Sequence, residues 1–354
     1  MACFAAAHSA GWLFAGRILQ GLATGASIGA VSAALVESSA AWSPSIAPLV
    51  NSATPSLGMG AGVLATSALV QYGPAPERFV YWLLLGALAL GAAGIAVLPE
   101  PGQRRPGAVA SLRPQASLPR AARPAFVTTL PCLIAIWALG GFYLSLGPTL
   151  AATLTRSHNL MWGGLLIFLL MGCGSAASVL FRSLPSRTAM TGGCVVLLCG
   201  MGISLGAVAT SQTAAFLVGS AVAGAGFGLG FLGVFRTLSA LAGPTERAGL
   251  ITTMYVVSYL AFSIPVIVAG IAVQHWGLHD TALTYAAVVA GLTAIGAVGF
   301  LLQPSHRRTP AAPTLSAAHR IDLTPCPGTV PPCRAELTSS GPTGAMNVRV
   351  GRLP

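Results

Sequence analysis

The sequence predicts an all-α fold: a polytopic bundle of helices in a membrane. Three observations point there. Only 7% of the 354 residues are charged, 54% are hydrophobic, and the mean hydropathy is +0.77; a soluble domain carries about 25% charged residues. The apolar residues fall into long runs, each near the ~20 residues that cross a bilayer as helix. The arginines collect in alternate gaps between those runs.

Nine runs are expected to span: 12–36, 48–71, 79–98, 126–151, 160–181, 188–210, 213–241, 248–274 and 281–302. The first contains GRILQGLATGASIGA, in which Arg17 precedes Gly21, Gly25 and Gly29 at every fourth residue. Such a small-x-x-x-small stripe lets a neighbouring backbone approach closely. The 126–151 run contains GGFYLSLGP (140–148), with a glycine pair, an aromatic pair and a closing Gly147-Pro148, a composition suited to an interrupted helix beside a cavity. The seventh run repeats the glycine pattern in GAGFGLGFLG (224–233), including Gly224 and Gly228. In the eighth, Tyr255, Tyr259 and Phe262 share one face, and Pro265 is expected to bend the helix. The apolar MACFAAAH ahead of the first run resembles the tail of another span; no Lys or Arg precedes it, unlike a signal peptide.

Two segments differ in composition. Residues 99–125 are rich in Pro and Arg and read as a central linker. Residues 304–354 are rich in Pro, Ser, Thr and Ala and are expected to be a disordered tail. The organisation is then 1–98, part of an N-terminal helical half; 99–125, the linker; 126–303, a six-helix C-terminal half; and 304–354, the tail.

Orientation follows from arginine, since the chain has no lysine. With loops on alternate sides, only Arg17, Arg78 and Arg156 of the 18 lie opposite the linker and tail. By the positive-inside rule the linker and the C-terminus are cytoplasmic, in a multi-pass plasma-membrane protein. The net charge of +11 thereby reflects insertion and anionic lipid rather than nucleic acid.

The two halves share a register at an offset of 203 residues: Gly16 with Gly219, Gly21 with Gly224, Gly25 with Gly228, Val70-Gln71 with Val273-Gln274, and Pro101 with Pro304. Parallel repeats of this kind are a transporter architecture. The counterpart of the span beginning near 126 would lie before Met1, which leads us to expect about 80 further residues and three more spans upstream. The nine spans would then be the last nine of twelve.

The motif RILQGLATG (17–25) resembles the R-x-x-x-G signature on the fourth helix of the major facilitator superfamily, especially its drug/proton antiporters. YLAFSIPVIVAGIAVQHWGL (259–278) is similar to the eleventh helix and following turn of bacterial members. SATPSLGMGAG (52–62) departs from the antiporter pattern, which has a Gly-Pro step where this chain has Pro55 ahead of its glycines. The resemblance implies a secondary transporter of a small organic molecule, working outward by alternating access, with a proton as the candidate coupling ion and no cofactor. It implies a cavity-lining role for Arg17, with Gln20 and Thr24 at i+3 and i+7 on the same face. Tyr143, Tyr255 and Tyr259 are the aromatic candidates for the cavity wall. Gly21, Gly25, Gly29, Gly224, Gly228 and Pro265 are the candidates for helix packing and gating. The alternative is a truncated membrane protein without transport activity.

Enzyme chemistry has little support. The seven carboxylates lie at span ends, in loops or in the tail, and no P-loop motif occurs. The seven cysteines include no C-x-x-C pair and read as small apolar filler within the spans and incidental thiols outside them.

Overall fold

The computed structural model describes residues 9–39, 46–74, 76–97, 117–240, 246–301, 334–339 and 346–351. Among these, the helices are α1 (Ala10–Ser39), α2 (Ile46–Tyr72), α3 (Pro76–Val97), α4 (Arg123–Ser145), α5 (Gly147–Thr155), α6 (Met161–Leu180), α7 (Ser186–Ala209), α8 (Thr213–Ser239) and α9 (Arg247–Leu301). Seven helices in the described residues are long and apolar enough to cross a membrane. The chain is an apolar helical bundle of the membrane-protein kind.

Two interruptions shape the bundle. The run 126–151 is two helices, α4 and α5, meeting at Leu146. The Leu146 N–H still donates to Phe142 O and the Leu150 N–H to Leu146 O, both at 2.9 Å. Pro148 has no N–H to offer the carbonyl four residues earlier, so the regular ladder fails there. The second interruption is at Gly277 in α9, with φ +80° and ψ 168°. Glycine alone adopts that backbone without steric cost. It divides α9 into arms 247–276 and 278–301, matching the last two expected spans. The helix keeps its helical backbone through Pro265; the only non-helical residue inside α9 is Gly277.

The core lies within residues 123–301. Helix α8 packs between α6 and α7, while α4 packs against α9. Leu133, Ile136, Leu139, Leu166, Leu170, Met190, Leu197 and Leu238 are fully buried where these helices meet. Near α4 the end of the linker is ordered: Pro119 is buried, Ala122 is fully enclosed, and the Ser117 N–H donates to Gly249 O at 3.3 Å. Helices α1 and α3 are looser. Both α1 and α3 have their main contacts with α2, and they expose Trp12, Phe14, Ile18, Leu88 and Leu90. In a bilayer such surface meets lipid tails as apolar as itself.

The tail is a separate unit. Its described residues, 334–339 and 346–351, form a pair of strands, and the rest of the segment expected to be disordered lies outside the described residues. Strand β1 (Arg334–Ser339) pairs antiparallel with β2 (Met346–Gly351), in a register that sets Leu337 opposite Val348 and Glu336 opposite Arg349. Alternating Val348 and Val350 supply strand-forming residues on one face, and the Glu–Arg pair is the kind of cross-strand contact that favours pairing. Overall tail composition masked this local alternation.

Candidate functional site

Aromatic residues from three helices converge where α4, α8 and α9 meet. Trp137 of α4 is the hub. Its ring centroid lies 5.6 Å from Tyr259, 5.8 Å from Phe231 and 6.4 Å from Phe227. Tyr255 adjoins Tyr259 at 6.5 Å, and Phe235 adjoins Phe231 at 6.1 Å. The Phe231 and Phe227 contacts with Trp137 are edge-on, an arrangement that ring quadrupoles favour. Sequence spacing explains the set: Phe227, Phe231 and Phe235 recur every fourth residue on α8, as Tyr255 and Tyr259 do on α9. The indole Nε1–H of Trp137 is buried and has no hydrogen-bond partner among the described residues. Tyr259 is half-exposed, so the cluster reaches the surface of the bundle there. Phe262 lies farther along α9, over Gly140 of α4.

The structure thus brings together two of the aromatic candidates, Tyr255 and Tyr259. It adds Trp137, Phe227, Phe231 and Phe235, which sequence reasoning missed. The i, i+4 spacing on α8 was the available signal, and the glycines interleaved with it drew attention away.

Tyr143 belongs to a different place. It is buried among α4, α7 and α8, with its hydroxyl 2.8 Å from Ser204 Oγ and its ring stacked 6.2 Å from Phe216. The crevice beside it measures about 10 Å³, room for one water, and is walled by Ser204, Phe216 and Ala282.

Arg17, Gln20 and Thr24 form a third group on α1. Arg17 Nη1 donates to Gln20 Oε1 at 3.0 Å, and Arg17 and Thr24 are exposed. Because α1 lies mainly against α2, this group and the aromatic cluster are separate. Among the described residues, a methyl group at Gly21 or Gly25 would meet nothing within 4 Å. The surroundings of Gly29 lie outside the described residues. Gly224 and Gly228 are the opposite case: a Cβ at Gly224 would strike Leu170 O, and one at Gly228 would strike Gly174 O, both on α6.

A seam between α2 and α6 joins the two sides of the linker. The helices run antiparallel in close contact. A Cβ on Gly60 would lie 3.1 Å from Met171 Cβ, and one on Gly164 only 2.6 Å from Ser67 Oγ. At one end of the seam Ser175 Oγ donates to Ala53 O at 2.8 Å. At the other, the Leu160 N–H donates to Gln71 Oε1 at 2.9 Å and Asn159 Nδ2 donates to Tyr72 OH at 3.1 Å.

Two cysteines far apart in sequence also meet. Cys132 and Cys194 are buried between α4 and α7 with their sulfurs 3.1 Å apart. Among the described residues no three His, Cys, Asp or Glu side chains gather to hold a metal. Compared with known proteins, the chain matches no family model and no curated sequence, so the residues themselves carry the functional reading.

Proposed function

We propose that the protein is a secondary transporter of the major facilitator type that moves a small organic molecule outward across the plasma membrane. The observation that carries this reading is the aromatic cluster around Trp137. A buried indole N–H without a partner is costly in a static core. The same group is useful as a donor to a ligand that enters between the rings. Ligand sites are mostly apolar and aromatic, with a few placed polar groups, and those of helix bundles lie between helices. Tyr255 and Tyr259 add hydroxyls to the same wall. Arg17, Gln20 and Thr24 form a second polar element on α1 that meets substrate on its way.

The seam between α2 and α6 supports the two-sided architecture that alternating access needs. Arginine placement supports a cytoplasmic C-terminus, with lipid as the surrounding partner; a coupling proton comes from the family resemblance alone.

The test is reconstitution of the full chain into vesicles and measurement of flux for a panel of apolar organic molecules, with and without a proton gradient. The reading predicts saturable flux of at least one compound above protein-free vesicles. Flux indistinguishable from protein-free vesicles for the whole panel contradicts it.

A further inference from the structure

The contact between Cys132 and Cys194 has no part in the transport reading. Both thiols are free and buried, and their sulfurs lie 3.1 Å apart. Unbonded carbon atoms touch at ~3.5–4.0 Å, whereas a disulfide needs ~2.05 Å. The two sulfurs are therefore about 1 Å from bonding distance. Each cysteine lies ~12–14 Å from the start of its helix, so the two meet at one level of the bundle. Packing holds them there. A Cβ on Gly296 of α9 would lie 2.8 Å from the Cys132 backbone N, and one on Gly193, beside Cys194, would strike the backbone N of Gly230 on α8. Close backbones at both cysteines leave little room for either thiol to turn away. Apolar filling accounts for two small buried side chains, but not for two sulfurs that face each other. A metal does not account for them either. An ion held in line between two sulfurs would keep them ~4.6 Å apart, twice a zinc–sulfur bond of ~2.3 Å, and the described residues offer no third ligand.

We propose that Cys132 and Cys194 are a dithiol that closes reversibly to a disulfide, stapling α4 to α7 inside the bundle, with hydrogen peroxide as the oxidant. Peroxide is small and uncharged, so the apolar surround that shuts out charged oxidants admits it. One cysteine, as thiolate, attacks a peroxide oxygen; the O–O bond breaks, and the departing hydroxide takes the thiol's proton to become water. The sulfenic acid formed is then attacked by the second sulfur. The S–S bond forms, the S–O bond breaks, and hydroxide leaves with the second thiol's proton as another water. Two electrons pass from the thiol pair to peroxide. A dithiol reductant reverses the reaction by returning two electrons and two protons, and itself becomes a disulfide. The staple closes a loop over residues 132–194 and fixes the helix that carries Trp137.

The experiment uses the full chain, purified reduced in lipid nanodiscs, freed of reductant and exposed to hydrogen peroxide. Remaining thiols are blocked with maleimide under denaturing conditions, and peptide mass spectrometry maps the linkages. The expected result is a Cys132–Cys194 linked peptide from most molecules, with both thiols recovered after dithiothreitol. The oxidised parent is expected to melt roughly 5 °C above the reduced form, because the link restricts the unfolded chain. Cys194→Ser removes one sulfur and is expected to show no such rise with peroxide. Recovery of Cys132 and Cys194 as free thiols, or as separate sulfonic acids, overturns the proposal. Equal melting midpoints for the linked and reduced parent overturn the staple, as does an equal rise in Cys194→Ser. The mapping needs no variant, so a poorly folded Cys194→Ser leaves the test intact. None of these readouts depends on flux, so the staple and the transport reading fail separately.

Discussion

Helices α1 and α8 carry the same glycine spacing and occupy opposite environments. Gly21 and Gly25 correspond to Gly224 and Gly228 at the 203-residue offset. On α8 the glycines lie against the backbone of α6, at Leu170 and Gly174, with no room for a methyl group. On α1 the same two positions meet nothing within 4 Å among the described residues. A glycine inside a helix costs about 1 kcal/mol relative to alanine. That cost is recovered only where a second backbone uses the space. The motif is therefore a capacity for close approach, and the neighbouring helix decides whether it becomes packing.

The comparison can be broken by substitution. The largest effect is expected at Gly228. Leucine there has to displace α6, and Gly228→Leu is expected to yield no monodisperse protein in detergent; Gly228→Ala is expected to lose about 2–3 kcal/mol of stability by overpacking. A parent-like thermal melt for Gly228→Ala would mean that α8 and α6 are not in backbone contact. Tyr143→Phe sharpens the picture of the α4–α7–α8 core. It deletes the bond to Ser204 and is expected to cost about 1 kcal/mol, with flux retained because Tyr143 is away from the aromatic cluster. Loss of flux at full stability would bring Tyr143 back into the substrate path. The smallest effect is at Gly21. Gly21→Ala is expected to raise the melting point slightly, by a gain of about 0.5–1 kcal/mol from helix propensity alone. Destabilisation there would show that α1 has a close neighbour.

Much of the bundle was legible because length and hydropathy are local properties. Eight of the expected spans fall on helices α2 to α9, and α1 covers the ninth. What escaped was the direction each helix faces. These helices are apolar on every side, so periodicity cannot separate a core face from a lipid face. Trp137 is the one tryptophan of its run and gained meaning only when α8 and α9 brought Phe227, Phe231 and Tyr259 against it. Cys132 and Cys194 are 62 residues apart, and their contact depends on how α4 meets α7. Pro265 lies within a continuous helical backbone, and the non-helical residue comes at Gly277, whose positive φ ends the first arm of α9. Arg17 and Gln20 were correctly placed on one face, and they bond each other. Their separation from the aromatic cluster was beyond a reading of one helix at a time.

The most direct test of the central claim, that the Trp137 cluster recognises substrate, is flux in vesicles by Trp137→Phe at protein content matched to the parent. Phenylalanine keeps a six-membered ring in the cluster but removes the pyrrole half of the indole together with its N–H donor. The account predicts flux lowered about tenfold, the loss of one buried hydrogen bond to ligand, with the melting temperature lowered only by the small cavity the lost ring leaves. Parent-level flux from Trp137→Phe would contradict it and return the cluster to ordinary helix packing.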